Sequence, residues 1–177
     1  IDLGANVGNF TQFFCSFGAH VIAMEPDPIA FKILNSRKLN NCLCLNVAAS
    51  TKYAKLNLYY HKEASSTEKR LALSQASSIE KGKKNINYNS YESVRSINLA
   101  DFIKILGKRI KLIKCDIEGH EFELIPHLIN SGIIDFIEYL FVETHENKIK
   151  GGDKKILLLK KLISDNSLNE KFDLSWH

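Results

Sequence analysis

The sequence is poor in cysteine, and the cysteines that it has form no metal-binding pattern. There are four of them, at Cys15, Cys42, Cys44 and Cys115, and their spacing matches no structural zinc site. Cys42 and Cys44 are two residues apart in an apolar run. On a strand both side chains would therefore point the same way, and a disulfide between them would be severely strained. We predict four reduced, mostly buried thiols, as in an intracellular, cytoplasmic protein.

The chain also lacks long apolar runs and a strong excess of one charge. No stretch approaches the ~20 apolar residues of a membrane-spanning helix, so we predict no membrane span. The formal net charge of +4 comes from 24 basic and 20 acidic side chains. So mild an excess favours a solvated basic face over a nucleic-acid partner. No signal peptide is visible. The chain begins at Ile1, inside a motif, and we expect its first strand to be truncated.

What the sequence does contain is a regular alternation of strand and helix patterns. Short apolar runs at 1–3, 21–24 and 42–47 are separated by amphipathic helix patterns at 9–17 and 28–40. This order predicts parallel strands joined by helical crossovers. The 177 residues contain no internal repeat, and we predict a single α/β domain over 1–177.

The second half of the chain repeats the alternation after an interruption. A less buried strand is predicted at 56–60. Residues 61–90 are rich in Ser, Lys, Asn and Glu, which indicates a long loop or a lid. Regular patterns then return, with strands predicted at 93–98, 110–117, 137–143 and 172–176, and helices at 99–106, 121–129 and 153–163.

The first candidate site is the glycine turn Asp2-Leu3-Gly4-Ala5-Asn6-Val7-Gly8. A glycine turn between a buried strand and a helix lets a ligand approach the backbone closely. A dinucleotide site would have the spacing G-x-G-x-x-G, whereas Gly4 and Gly8 are spaced G-x-x-x-G. Asp2 would repel a pyrophosphate but suits a cationic sulfonium. The turn therefore favours adenosylmethionine over NAD, although a purely structural turn stays open.

The second candidate site is Glu25, at the end of the second predicted strand and 21 residues after Gly4. Its two oxygens can accept both hydroxyl hydrogens of an adenosine ribose. Pro26 would lie against the purine, and the strand end Asn46-Val47-Ala48 would border its other side.

Together these segments resemble the FkbM-type methyltransferases, a class I group that uses S-adenosyl-L-methionine and acts largely on hydroxyl oxygens. The matching segments, in the family's order, are Asp2–Gly8, Glu25-Pro26-Asp27-Pro28, Asn46-Val47-Ala48-Ala49-Ser50, Asp116-Ile117-Glu118-Gly119-His120-Glu121 and Glu143-Thr144-His145. The resemblance implies a three-layer αβα Rossmann-like fold with a mostly parallel, seven-stranded sheet, and adenosylmethionine as cofactor. By residue match it assigns the cofactor site to Asp2, Gly4, Asn6, Gly8, Glu25 and Asp116. The family usually has alanine at the position of His120, so the resemblance gives His120 no role.

The third candidate site combines the ends of two predicted strands. Asp116 and Glu118 follow one strand, and Glu143 and His145 follow the other. Ligands of open parallel sheets bind outside the carboxyl ends of the strands. We take His145 as the leading general base, since a near-neutral pKa suits that task, with Glu118 second and Glu143 orienting the imidazole. The same four side chains could hold Mg²⁺ or Mn²⁺, but nothing in their spacing requires a metal, and we predict none.

The expected reaction is transfer of the sulfonium methyl group to a hydroxyl of a sugar, another small molecule or a glycan. We expect the acceptor to lie near 61–90 and 145–152. Side chains there that could meet an aromatic, sugar or acidic acceptor are Tyr59, Tyr60, His61, Tyr88, Tyr91, Arg70, Lys81, Lys83 and Lys84. A nucleic-acid methyltransferase and a non-catalytic adenosylmethionine-binding module stay open as alternatives.

Overall fold

The computed structural model describes residues 1–175, and the predicted alternation of strands and helices is present in them. In chain order the strands are β1 (Asp2–Leu3), β2 (Val21–Met24), β3 (Cys42–Leu45), β4 (Ala48–Ser50), β5 (Ala54–His61), β6 (Ile86–Asn98), β7 (Ile110–Cys115), β8 (Ile137–Val142) and β9 (Phe172–Asp173). The helices are α1 (Asn9–Ser16), α2 (Pro28–Ser36), α3 (Thr67–Ala72), α4 (Leu99–Leu106), α5 (Glu121–Asn130) and α6 (Gly152–Asp165).

The main sheet is parallel, and its order is β3-β2-β1-β7-β8-β9. The chain moves outward from β1 to β3, returns to β7 on the other side of β1, and then continues outward. The order therefore reverses between β1 and β7. In open α/β sheets this reversal leaves a crevice at the carboxyl ends of the strands, where ligands bind.

Helices flank this sheet, and α2, α4, α5 and α6 bury one face each, as their periodicity predicts. In α5, for example, Leu124, Ile125 and Leu128 are at most 1% exposed and pack into the largest core cluster with Ile113 of β7 and Leu140 of β8. Each such side chain stabilises the fold by about 1.5–3 kcal/mol relative to an exposed one. The predicted α/β fold class is thus confirmed.

The main sheet of the described residues has six strands, where the family resemblance implies seven. Strands β4, β5 and β6 instead form a second sheet of three strands. Sequence reasoning predicted no separate β4. The last predicted strand is also shorter than expected, because β9 ends at Asp173, and Trp176 lies outside the described residues. Helix α2 ends at Ser36 rather than near 40, since Lys38 adopts a left-handed conformation (φ 50°) that no α-helix continues through.

Residues 61–90 are less irregular than their composition predicts. Ser66 caps α3 by accepting a hydrogen bond from the backbone N–H of Lys69, and β6 begins at Ile86 because the antiparallel pairing with β5 extends as far as His61. Much of β6 is exposed, which explains why its polar residues looked like a loop. The irregular part is reduced to a strap of residues 77–85 that crosses the carboxyl edge of the sheet.

All four cysteines are free, but only Cys115 is buried, and Cys15, Cys42 and Cys44 are half-buried. The expectation of mostly buried thiols is therefore wrong for three of them: Cys42 and Cys44 lie on β3, the edge strand of the main sheet, and Cys15 lies in α1, which buries only Thr11. Cys42 Sγ lies 3.5 Å from Cys44 Sγ, so the two side chains do point the same way. In residues 1–175, no helix combines the length and the apolar character needed to cross a membrane.

Candidate active site

The glycine turn connects β1 to α1 and lies directly against the exit of β7. Gly4 has φ 70°, Asn6 φ 49° and Gly8 φ 87°, all in the region that favours glycine. A Cβ on Gly4 would overlap the backbone carbonyl oxygen of Asp116, which cannot move without separating the two strands. The turn thus requires glycine at position 4 for close contact with β7 as well as for its backbone angle.

Glu25 faces this turn from the end of β2 and is 5% exposed. The backbone N–H groups of Asn6 and Asp27 donate to its two oxygens at 2.7 and 2.8 Å. Burial raises the pKa of Glu25 to about 7. Asn46 donates to the carbonyl oxygens of Glu25 and Pro26 at 2.8 and 3.1 Å, which holds the end of β2 in place.

A cavity of about 350 Å³ opens at the reversal of the sheet order, within the range of about 300–1,000 Å³ for ligand sites. Its wall includes six of the predicted cofactor residues, namely Gly4, Asn6, Glu25, Pro26, Ala48 and Asp116, and the predicted catalytic residues Glu118 and Glu143. The described residues of the wall carry four carboxylates, from Glu25, Asp116, Glu118 and Glu143, and one lysine, Lys114. The wall is therefore acidic.

Three predicted cofactor residues, Asp2, Gly8 and Asn46, are not part of the cavity wall. Asp2 is 1% exposed and accepts a hydrogen bond from Thr11 Oγ1 at 2.6 Å. Direct contact between Asp2 and a ligand stays a prediction, which the burial of the carboxylate does not favour. Its side chain turns toward α1 instead and joins the strand to the helix that follows the turn.

We expect Thr11→Val to destabilise the domain by about 1–3 kcal/mol, because it leaves the buried Asp2 carboxylate without its hydroxyl donor while keeping the side-chain volume. Urea unfolding measures this change. Thr67→Val, at an exposed threonine of α3, is the control and should change the free energy of unfolding by less than about 0.5 kcal/mol. Equal stability of the two variants would contradict a supporting role for Thr11.

Lys114 is a site residue that sequence reasoning missed. Its Nζ donates to the carbonyl oxygen of Gly4 at 2.9 Å and lies 3.4 Å from Asp2 Oδ1 and 3.5 Å from Asp116 Oδ2. Burial alone would lower the pKa of Lys114, but these two carboxylates raise it. The available signal was a lysine one residue before the end of an apolar strand, where a buried cation needs anionic partners.

The strap contributes the further wall residues Ser77, Ser78 and Ile79, from a segment that matches the family's motifs only loosely. Ser74, just before the strap, accepts a hydrogen bond from Asn6 Nδ2 at 2.8 Å, and Ser78 donates to the carbonyl oxygen of Glu118 at 2.7 Å. Lys83 is buried, and its Nζ donates to Glu118 Oε2 at 2.5 Å and to the carbonyl oxygen of Ala76 at 2.6 Å. The strap is thus bound to the exit of β7.

His145 lies behind the wall and is 3% exposed. Its Nε2 is 3.7 Å from Asp116 Oδ1, 3.5 Å from Glu118 Oε2 and 3.5 Å from Glu143 Oε1. Burial alone would lower the pKa of His145, but Glu118 and Glu121 raise it to about 10. With its pKa raised, the imidazole carries a proton at neutral pH, which argues against the near-neutral general base that the sequence predicted at His145.

The neighbouring acidic groups differ from expectation as well. Burial alone would raise the pKa of Glu118, but His145 and Lys83 lower it to about 2, which makes Glu118 a weak base. Burial raises the pKa of Asp116 to about 6. Glu121, which looked like an ordinary first-turn charge, is fully buried and accepts hydrogen bonds from the backbone N–H groups of Gly119 and His145.

The predicted acceptor residues are mostly engaged elsewhere. Tyr88 and Tyr91 pack edge-on against Tyr59, with ring centroids 5.2 and 5.9 Å apart. Arg70 lies over the ring of Tyr60 at 4.5 Å. None of the predicted tyrosines or basic residues is part of the described cavity wall, so the structure gives no support to an acidic or ring-stacked acceptor at those positions.

The sheet is parallel, its order reverses beside a glycine turn, and an acidic residue ends the next strand. Such an arrangement is typical of Rossmann-like proteins, which bind nucleotide-type ligands at this place. The family model described as "Methyltransferase FkbM domain" matches residues 2–166. The chain therefore belongs to the FkbM methyltransferase family and is a methyltransferase domain, as the resemblance of its motifs indicated.

A solved structure has the same fold. It is the methyltransferase FkbM from Methylobacillus flagellatus, with a TM-score of 0.56 and 14% sequence identity, and the match covers 92% of this chain and 36% of that one. This chain thus spans about a third of the length of that protein. No curated protein sequence matches the chain.

Proposed function

We propose that the cavity binds S-adenosyl-L-methionine and that the domain transfers its methyl group to a hydroxyl oxygen of a neutral sugar, another small molecule or a glycan. The observation that carries the proposal is Glu25. Its carboxylate lies on the cavity wall at the reversal of the sheet order, held by two backbone N–H groups. Each carboxylate oxygen can accept a further hydrogen bond, here from a ribose hydroxyl.

The remaining wall residues fit the other parts of the cofactor. Pro26 and Ala48 line the cavity beyond Glu25 and offer apolar surface to the adenine. The turn at Gly4 and Asn6 allows close approach of the aminoacyl part. A wall with four carboxylates and one lysine favours a cationic sulfonium and repels the pyrophosphate of NAD. The same charge argues against a phosphorylated or nucleic-acid acceptor.

In this proposal the acceptor hydroxyl attacks the sulfonium methyl carbon in line, the carbon–sulfur bond breaks, and adenosylhomocysteine leaves. The protein mainly positions the two reactants. The hydroxyl proton passes to a carboxylate of the wall. Asp116 and Glu143 are each about a quarter exposed toward the cavity, whereas Glu118 is held by Lys83. His145 acts as a positioning residue that orients these carboxylates.

Calorimetry of the purified domain with adenosylmethionine, adenosylhomocysteine and NAD tests the proposal. We expect both sulfur ligands to bind and NAD not to bind. Labelled adenosylmethionine should then transfer its methyl group to neutral polyhydroxyl compounds, with retention of label after the cofactor is removed. Binding of NAD in place of the sulfur ligands would refute the cofactor assignment. Cofactor binding without transfer to any acceptor would instead favour a non-catalytic binding module.

A further inference from the structure

The ends of β7 and β8 form a cluster in which one histidine nitrogen faces three carboxylates. His145 Nε2 lies 3.5–3.7 Å from oxygens of Asp116, Glu118 and Glu143. It is buried and has no hydrogen-bond partner among the described residues. Buried polar nitrogens are normally hydrogen-bonded, so this one requires an explanation.

The other side of the imidazole is held firmly. His145 Nδ1 lies 3.2 Å from Glu121 Oε1, and the backbone N–H of His145 donates to the same oxygen at 2.9 Å. Glu121 is fully buried, so the ring cannot turn easily. Histidines that bind metals almost always donate their second ring N–H to a carboxylate in this way, which directs the first nitrogen at the ion.

The distances from Nε2 to the three carboxylates distinguish a bound metal ion from a hydrogen-bonded proton. A charge-assisted N–H···O hydrogen bond is about 2.7–2.9 Å long, and none of the three carboxylates approaches Nε2 that closely. By contrast, Lys83 Nζ does approach Glu118 Oε2 closely, at 2.5 Å. Ligands placed ~2.1 Å from a tetrahedral ion lie about 3.4 Å from one another. The distances from Nε2 to the three carboxylates are close to this spacing, and one ligand atom each from Asp116, Glu118 and His145 lies within 4.8 Å of the other two, whereas Glu143 approaches only Nε2, at 3.5 Å.

We propose that His145 Nε2, Asp116, Glu143 and Glu118 form a binding site for a divalent transition-metal ion. A set of carboxylate oxygens with one imidazole suits ions such as Mn²⁺, Fe²⁺ and Zn²⁺. The metal takes the place of the proton on Nε2, and Lys83 neutralises part of the charge of Glu118. This proposal departs from the sequence-based expectation of no metal at these residues.

The position of the ion indicates its use, and this part rests on the proposed methyl transfer. Asp116 and Glu143 belong to the cavity wall, so a metal held between them and His145 can coordinate an oxygen in the cavity. A hydroxyl oxygen of the acceptor bound there would lose its proton more easily and would be held for in-line attack. The acceptor class is therefore one that offers a metal-binding hydroxyl.

The test is a titration of the cofactor-free protein with Mn²⁺, followed by the loss of the electron paramagnetic resonance signal of the free ion. Three proteins are compared: the wild type, Glu143→Gln and the control Glu138→Gln. Glu138 lies on β8 as well, but it is exposed and pairs with Lys111 at 2.5 Å. We expect one Mn²⁺ per chain for the wild type and for Glu138→Gln, and an affinity at least ~10-fold lower for Glu143→Gln.

The inference is overturned if the wild type binds no Mn²⁺ and no Zn²⁺, or if Glu143→Gln binds either ion as tightly as the wild type while its circular dichroism spectrum is unchanged. Because the titration contains no adenosylmethionine, its outcome is independent of the cofactor assignment. Metal binding without binding of the sulfur ligands would refute the proposed function and leave the metal site standing. Binding of the sulfur ligands without binding of a metal would refute the metal site and leave the cofactor assignment standing.

Discussion

Glu25→Gln is expected to weaken adenosylmethionine binding by at least ~100-fold. The substitution removes the negative charge to which the two ribose hydroxyls would donate. It also places an amide N–H₂ opposite one of the two backbone N–H groups, of Asn6 and Asp27, that donate to the carboxylate in the wild type. A hydrogen bond to a charged group contributes about 1.5–3 kcal/mol. The loss of about 3 kcal/mol, the lower limit for two such bonds, corresponds to a factor of ~100 in the dissociation constant. Calorimetry measures it directly.

The same residue predicts a pH dependence of cofactor affinity. The pKa of Glu25 in the free protein is raised to about 7, so the carboxylate is ionised above pH 7 and protonated below it. The ribose hydroxyls bind the ionised form best, because only a carboxylate accepts at both oxygens. Affinity should therefore be highest above pH 7 and should fall as the pH decreases through about 7.

Glu25→Gln is its own control for this dependence, since a glutamine does not titrate and the variant should lose the change in affinity around pH 7, leaving only a change around pH 6 from Asp116. Thermal unfolding of the variant shows whether the fold is intact. An unchanged dissociation constant, or a variant with the pH profile of the wild type, would contradict the assignment of Glu25 to the ribose.

Gly4→Ala is expected to reduce the free energy of unfolding by about 2–5 kcal/mol and to abolish cofactor binding in the protein that remains folded. A non-glycine residue in the left-handed region costs about 1–2 kcal/mol. The new Cβ would also overlap the carbonyl oxygen of Asp116, and relief of such overlap costs about 1–3 kcal/mol more. Urea unfolding at constant temperature measures the stability, and calorimetry measures the affinity.

The chain offers a matched control for the backbone effect. Gly132 has nearly the same conformation, with φ 72°, but a Cβ there would meet no atom within 4 Å. Gly132→Ala should therefore cost only about 1–2 kcal/mol and leave cofactor affinity unchanged. If the two variants lose the same stability and bind the cofactor equally well, close contact between the turn and β7 has no importance for this site.

Several elements could be predicted from the sequence because their signals are local. Helix α4 occupies its predicted residues 99–106, and α1, β2 and β8 lie within one residue of their predicted bounds. Their apolar residues repeat with the period of the element. The strand β6 was predicted only from residue 93, since its first seven residues contain a single aliphatic side chain, Ile86, and are held in the strand by pairing with β5, a partner that no local pattern specifies.

The meeting of the glycine turn with Glu25 was predictable for a similar reason. Gly4 and Asn6 lie in one turn and Glu25 ends the next strand, so strand adjacency alone brings them together. The ends of the two later strands were predictable only in outline. Asp116, Glu118, Glu143 and His145 do meet, as adjacent strand ends must. Their protonation, however, depends on Lys83 and Glu121, which arrive from the strap and from α5.

The sequence by itself therefore determined the α/β alternation, the family and the residues that converge at the carboxyl edge of the sheet. The tertiary structure alone decided what those residues can do. It buried Asp2 against Thr11, joined Lys114 to the glycine turn, and surrounded His145 with carboxylates that raise its pKa. The physical reason is that periodicity and spacing depend on residues that are neighbours in the sequence. Burial and charge at a site depend instead on residues of distant segments, which only packing brings within a few ångströms of one another.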